Sequence, residues 1–508
     1  MKRYIFIILA LSVFGVYAQN SYDAARFFQS EGNGTARFLG MGGAMSALGG
    51  DISVISTNPA GIGVYRGQDI ALSISADNAL SRSNYLGTKN SDSNTKYSFD
   101  NFGIVLANSI ENEYVKFVNF AIAYKRNSGF NRDFKMSGDS FTKNADGSNN
   151  YFSQVYEMME LYNYSNFDVD NIKDEYYTNL NYNWLALLGY DGNLYSVDEK
   201  GAYAHYTPEK TFYYSEERGG IDEAGINLST NISDRIYLGA TLGFYAANYN
   251  RYSYYGEDDK LGEIYTLYNW SSTEGTGVDF KLGAIMRPFA NSPFRLGVAV
   301  HTPTWYVMVN RSSAYLLNPM DGYRIDTQEI YGGDYVVNYR VTTPWKINAS
   351  AAYTFGRSLA VNAEYEYTDY STAGIKYYDG YSNFDINEEL SSNTKSVHTV
   401  RVGAELRLSN NFSLRGGYNY VSAPYNKEAA KYIISNDDTA TEYLNRFATH
   451  SASLGLGYYN KDFYADFAYR FSVQNSEFYP YYDSQIINPS AAVQDIRNHF
   501  VLTIGGRF

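Results

Sequence analysis

The sequence predicts an all-β protein, a transmembrane antiparallel barrel of about fourteen strands, and three observations predict it. The first is a two-residue alternation of apolar and polar side chains that recurs along the chain, the signature of a strand with unlike faces. The second is that no continuous apolar run after residue 18 nears the length of about 20 residues that a spanning helix needs, and the mean hydropathy is −0.39. A barrel hides its apolar face from such an average, because every second residue faces the lumen. The third is aromatic content: 54 tyrosines and 17% aromatic residues exceed what a soluble core needs and suit two interfacial girdles.

The chain opens on Met1-Lys2-Arg3, an apolar run from Tyr4 to Val16, and Val16-Tyr17-Ala18 before Gln19. That order is a secretory signal, with cleavage expected at Ala18/Gln19 and the outer membrane of a Gram-negative cell as destination. There is no cysteine, hence no lipidation at this site, no disulfide framework and no thiolate metal site. No cofactor or metal is expected. A net charge of −13 argues against a nucleic-acid partner, which needs clustered cations.

The strands follow in order. Residues 70–76, 102–107 and 114–126 supply the first three, and 224–232, 236–244, 263–286, 294–309 and 335–355 the next five. In the ninth, Leu359, Val361, Ala363, Tyr365 and Tyr367 alternate with Asn362, Glu364, Glu366 and Thr368. In the tenth, Val400, Val402, Ala404, Leu406 and Leu408 alternate with Arg401, Glu405 and Arg407. Residues 412–420 and 448–458 precede a thirteenth, where Phe463, Ala465, Phe467, Tyr469 and Phe471 share a face. The last strand sets Phe500, Leu502, Ile504 and Phe508 against Arg497, His499, Thr503 and Arg507. An even count puts both ends on the periplasmic side, with short turns at 232–235, 288–293, 355–358, 409–411 and 460–462, and the longer connections outside. In the third strand Phe117 and Val118 are apolar in succession and Asn119 interrupts, which reads either as a bulge from Phe117 to Asn119, a place for a lateral exit, or as ordinary imperfect alternation.

Two segments break the rhythm. Residues 19–66, rich in Gly and Ala, form an N-terminal hatch or plug between the signal (1–18) and the barrel (67–508). Residues 127–218 form an extracellular insertion between strands three and four, longer than an ordinary connection. Within it, Tyr156, Met158, Met159, Leu161 and Tyr162, then Trp184, Leu185, Leu187 and Leu188, read as short helices over the barrel mouth. Met158, Met159, Leu161, Trp184, Leu185 and Leu188 are candidate contacts for an apolar ligand; the alternative is a local mini-core.

The lumen-facing phase carries Lys281, Arg295, Lys346, Arg401, Arg407, Arg415 and Arg470, with Asp279, Glu364, Glu366, Glu405 and Asp466. These charges either brace one another or receive an acidic head group, for which Arg401, Arg470, Lys346 and Arg415 are candidates. The five histidines form no nucleophile-elbow or zincin pattern, so no enzyme is expected.

The strongest motif is Ala36-Arg37-Phe38-Leu39-Gly40-Met41-Gly42-Gly43-Ala44, then Asp51 and Asn58-Pro59-Ala60-Gly61, just ahead of the first strand. It resembles the FadL/TodX family of outer-membrane transporters. Thr343-Pro344-Trp345-Lys346-Ile347, Glu364-Tyr365-Glu366-Tyr367-Thr368 and Arg415-Gly416-Gly417-Tyr418 leading to Ala423-Pro424 resemble its late strands. The resemblance implies a fourteen-stranded barrel with a hatch that includes Gly42, Gly43, Asn58, Pro59, Ala60 and Gly61. It also implies passive movement of long-chain fatty acids or other hydrophobic small molecules, captured by the outer loop, admitted past the hatch and released sideways into outer-membrane lipid by a monomeric barrel. A fatty chain gains about 0.8 kcal/mol per methylene on leaving water, so a plain water-filled pore is the wrong device for it. The alternatives are a structural component of a secretion or adhesion system, or a site for another apolar ligand such as haem.

Overall fold

A computed structural model describes residues 21–29, 31–164, 182–432, 437–482 and 489–508. The expected signal segment and its cleavage site lie outside the described residues. Fourteen antiparallel strands close into a barrel, and β1 (Asp69–Tyr85) completes the ring by pairing with β2 (Thr88–Ser109) on one side and β14 (Ala491–Arg507) on the other. Between them run β3 (Val115–Gly129, continued by Arg132–Asp139), β4 (Lys210–Ile232), β5 (Ile236–Asp258) and β6 (Glu263–Met286). Then come β7 (Arg295–His301 and Trp305–Asn318), β8 (Tyr335–Thr342 and Lys346–Phe355) and β9 (Leu359–Asp369, continued by Gly374–Tyr377). The series ends with β10 (Ser396–Arg407), β11 (Phe412–Val421), β12 (Tyr443–Tyr459), β13 (Phe463–Tyr479) and β14. No helix among the described residues is long and apolar enough to cross a membrane.

The apolar phase of each strand points outward. On β4, Leu228 is 60% exposed while Asn227 beside it is fully buried; on β6, Leu282 is 52% exposed and Lys281 only 2%. In water such a surface would be aggregating; against lipid it is the matched face. Closure leaves every strand paired on both sides, so no edge is presented to the hydrocarbon.

Several strands outrun the bilayer. β1 and β2 pair, through one register slip between Ser73 and Ile74, up to a two-residue turn at Leu86 and Gly87, both at positive φ, as a tight hairpin turn requires. The insertion between β3 and β4 is correspondingly shorter than residues 127–218, because β3 continues to Asp139 and β4 begins at Lys210. It contains α3 (Gln154–Tyr164) and α4 (Trp184–Asp191), preceded in the chain by α1 (Ser21–Arg26) and α2 (Ala36–Gly40). Two more short helices, α5 (Thr327–Tyr331) and α6 (Phe384–Asn393), cover other extracellular loops.

The expected irregularity in β3 is displaced. Phe117, Val118 and Asn119 pair regularly with Asn231, Thr230 and Ser229, and the register slips instead between Val115 and Phe117 and again between Arg126 and Ser128. Two successive apolar residues do not force a bulge when one of them, Phe117, sits at the membrane edge, where either face tolerates a ring. Asn119 points inward and is held by the plug.

Candidate functional site

Residues 31–66 fill the periplasmic half of the lumen, and their sequence explains their shape. Thr35 caps α2 by accepting from Phe38 N, and donates its own hydroxyl to the Asp51 carboxylate at 2.8 Å. Asp51 in turn caps a 3-10 turn (Ile52–Ser56) by accepting from Ser53 N. Asn58 caps the next one (Pro59–Val64), with Pro59 in the first-turn position where its missing N–H costs nothing. The Asn58 amide donates to Ser46 O at 2.9 Å, tying the two halves of the plug together.

The wall is cut to receive this backbone. Gly239 on β5 abuts Pro59, Gly283 on β6 abuts the Asn58 amide, and Gly403 and Gly417 on β10 and β11 abut Met41 and Gly42; a Cβ at any of them would overlap the plug. Gly42 and Gly43 themselves lie at φ +64° and +79°, where a side chain is strained. Around this fit the wall donates to plug carbonyls. Asn119 Nδ2 reaches Ile62 O and Tyr65 O at 2.8 and 3.0 Å, Arg295 reaches Leu48 O at 2.7 Å, and Arg470 reaches Glu31 O at 2.6 Å and Asn33 Oδ1 at 2.7 Å. Arg37 answers from the plug with a two-pronged contact to Glu405 at 2.8 and 3.1 Å.

Above the plug, residues 21–29 climb through the lumen toward the outer end. Tyr22 stacks on Tyr425 with centroids 4.8 Å apart and donates to Asn445 Oδ1, and Ser21 donates to Glu389 of α6 at 2.9 Å. Burial lifts the Glu389 carboxyl to about 7. Phe28 meets Tyr370 edge-on, and beside it lies an internal cavity of about 190 Å³. A second cavity of about 40 Å³ lies on the other side of Phe28, under β6, β7 and β8. Lys346, Glu366 and Arg401 line both.

The larger cavity is basic although the chain is acidic. Its lining includes Arg132, Lys346, Arg401, Arg446, Arg470 and Arg497 against Glu31, Glu217, Glu366 and Asp495. Arg401 is bound by Glu364 and Glu366 at 2.7 and 3.2 Å, and Arg470 by the plug, yet the Nε of each is buried without a hydrogen-bond partner among the described residues, as is Nη2 of Arg132. Lys346 has no carboxylate within ion-pair distance among the described residues, and Arg446 donates to the neutral Gln29 amide at 3.0 Å. Unmet buried donors are costly, and a bound anion or water removes that cost.

No protein-family model matches the chain, and no curated protein matches it in sequence. Solved structures do match. The Pseudomonas putida toluene transporter TodX superposes with a TM-score of 0.55 at 12% identity, over 94% of this chain and 99% of that one. The fold is that of the FadL/TodX channels. A Pseudomonas aeruginosa FadL homologue superposes with a TM-score of 0.52 at 12% identity, over 94% and 98%. A TodX deltaS2 mutant, described as a monoaromatic hydrocarbon channel, does so with 0.56 at 12%, over 95% and 100%.

Within this FadL/TodX-type barrel the four lumen candidates part company. Lys346, Arg401 and Arg470 line the large cavity, whereas Arg415 lies below, fixed between Glu405 and Asp466 beside the plug, and lines neither cavity. The outer-loop candidates are placed inside a core rather than on a surface. Met158, Trp184, Leu185 and Leu188 are buried, with Met159 and Leu161 packed against them, among Tyr195, Leu316, Tyr335 and Phe478. Their apolar area is used in joining α3 and α4 to the tops of the strands, which is the mini-core alternative. Arg446, Phe28 and Gln29 were not legible as site residues. Arg446 lies in a stretch without alternation, and the other two sit in the leading segment, whose path through the lumen only the fold defines.

Proposed function

We propose that the chain is a passive outer-membrane channel for hydrophobic small molecules that carry an acidic head group. The observation that carries this reading is the lumen cavity, which sets Phe28, Tyr370 and Val397 beside Lys346 and Arg446, two cations with no carboxylate in ion-pair distance among the described residues. Solved proteins of the same fold include a toluene transporter and a monoaromatic hydrocarbon channel, which supports uptake of hydrophobic compounds as the class of activity. A neutral hydrocarbon can offer such cations at most a cation–π contact, whereas a carboxylate at Lys346 with its tail against Phe28, Tyr370 and Val397 meets both requirements. The plug beneath excludes water and ions, so that passage depends on its displacement or on a route through the wall.

The test is direct. Binding of dodecanoate and of toluene to the purified barrel is compared for the unmodified chain and for Lys346→Gln with Arg446→Gln. The double variant is expected to weaken dodecanoate at least tenfold and to leave toluene within twofold. Equal loss for both, or none for dodecanoate, overturns the head-group assignment. A second reading, a docking role in a larger surface assembly, is favoured by one feature: Tyr378 and Tyr381 on the extracellular loop before α6, and Phe384 at its first turn, stand exposed. Triple substitution there to serine would abolish such docking and leave dodecanoate binding untouched.

A further inference from the structure

Two cations oppose each other on the outer surface of the barrel. Arg340 of β8 and Lys376 in the continuation of β9 are direct partners across the antiparallel ladder, and both side chains are exposed. Like charges set opposite one another in a sheet repel, so the pair destabilises this corner unless an anion sits between them. Other cations on the outward face are matched: Arg126 by Asp222 at 3.0 Å, Arg218 by Asp133, Arg311 by Glu274 at 3.7 Å and Arg324 by Asp326 at 2.7 Å. Arg340 and Lys376 have no carboxylate within ion-pair distance among the described residues. Asp379, close by in the chain, accepts instead from Tyr381 N within its own turn, at 3.0 Å.

The register fixes the height of the pair. Arg340 lies opposite Val307 on β7, and Val307 opposite Thr276 on β6. One outward position lower, Trp305 lies opposite Val278, and from there down the outward residues are apolar and exposed, as Phe280 and Leu282 are on β6 and Trp345 and Ile347 on β8. One position higher the same columns carry Glu274 and Asn338. Arg340 and Lys376 therefore stand at the first polar rung above the apolar band, about 5 Å beyond Trp305 along the membrane normal. That is the level of the outer-leaflet phosphates. Trp305 and Trp345, 49% and 54% exposed, mark the interface just beneath them. The Tyr378 ring supports the Arg340 guanidinium, 5.7 Å from its centroid, without using any of its N–H donors.

We infer that Arg340 and Lys376 form an outward-facing site for the phosphate of an outer-leaflet lipid, whose acyl chains lie along Trp345 and Ile347. A phosphate monoester can take a two-pronged bond from the Arg340 fork and a third bond from Lys376, and its charge is enough to neutralise both. The apolar column below and the polar one above match the two ends of such a lipid. The site lies on the outside of the wall and does not depend on what passes through the lumen.

Binding of diphosphoryl lipid A to the purified barrel in detergent tests the site. Arg340→Gln with Lys376→Gln is expected to weaken it at least tenfold. Lys200→Gln with Lys260→Gln, an equal loss of charge at exposed positions on the outer loops, is expected to change it less than twofold. Removing the phosphates from the lipid should cost the unmodified chain the same tenfold. Arg340→Glu turns the repulsion into an ion pair with Lys376, and should raise the melting temperature of the lipid-free barrel while abolishing lipid A binding. Undiminished binding by Arg340→Glu overturns the site even if the double variant fails to fold. Equal binding by the two double variants, or of the phosphate-free lipid, overturns it as well. Displacement of lipid A by inorganic phosphate at equal concentration would mean a free-anion site, and overturns the lipid as its occupant.

Discussion

The lower plug and the outer cap close the same lumen by opposite physics. The plug packs chiefly on itself, with Phe38, Met41, Met45, Leu48, Ile52 and Ile55 at its centre, and the wall offers it alanines such as Ala71, Ala121, Ala123 and Ala352, clefts made by glycines, and polar bonds. The cap shares large side chains with the strands themselves: Tyr213, Tyr255, Tyr265, Leu267, Leu316, Tyr335 and Phe478 interlock with α3 and α4. Moving the plug exchanges hydrogen bonds to protein for hydrogen bonds to water, each worth about 1 kcal/mol net. Lifting the cap exposes aromatic and aliphatic surface at about 1.5–3 kcal/mol per side chain. The difference teaches that, contact for contact, the periplasmic closure costs less to displace than the outer one.

The contrast can be broken from either side. The largest effect is expected from deleting residues 19–61, which should raise single-channel conductance of the barrel in planar bilayers at least tenfold; unchanged conductance would mean that the segment does not seal the pore. Next, Gly283→Leu drives a side chain into Asn58 and should unseat the plug at a cost of about 1–3 kcal/mol or more, read as leak current in an otherwise folded barrel. Leu185→Ala, in contrast, should cost the cap about 2–5 kcal/mol in local stability, measured by amide exchange of α3 and α4, without any leak. Arg37→Ala, which removes the bond to Glu405 while Arg415 still pairs with that carboxylate, should loosen the plug by about 1–3 kcal/mol, seen as faster exchange in residues 35–43.

The smallest effect is a pH dependence. The Glu389 carboxyl, raised by burial from its ordinary 4.5 to about 7, keeps its proton in the folded cap at pH values where the unfolded chain has lost it. Its contribution is therefore complete below pH 4.5 and is lost as the pH rises through about 7. Exchange in α1 and α6, corrected for intrinsic chemistry, should be faster at pH 8 than at pH 6, and Glu389→Gln should flatten the profile.

How far this was legible in the chain differs by region. Strands such as β10 and β13 announce themselves because lipid on one side and charge on the other impose strict alternation. The upper parts of β1 and β2 do not, since Ser, Asn and Thr face water on both sides there and carry no contrast; only the paired backbones reveal the hairpin. Asn58-Pro59-Ala60-Gly61 could be read as a motif, but not the glycines at 239, 283, 403 and 417 that form its socket, which come from strands distant in sequence. Met158 and Leu185 read equally as capture surface or core, because an apolar residue in a loop does not say what it touches.

Periodicity and composition alone determined that this chain closes as a barrel with its greasy faces outward and a glycine-rich leader apart from the strands, because the bilayer acts on every second residue independently of partners. Only the tertiary structure decided which cations are already matched, as Arg415 is, and which have no carboxylate beside them among the described residues, as Lys346 has none. It also set Arg340 opposite Lys376. Pairing and register join residues hundreds of positions apart, and no local pattern records them.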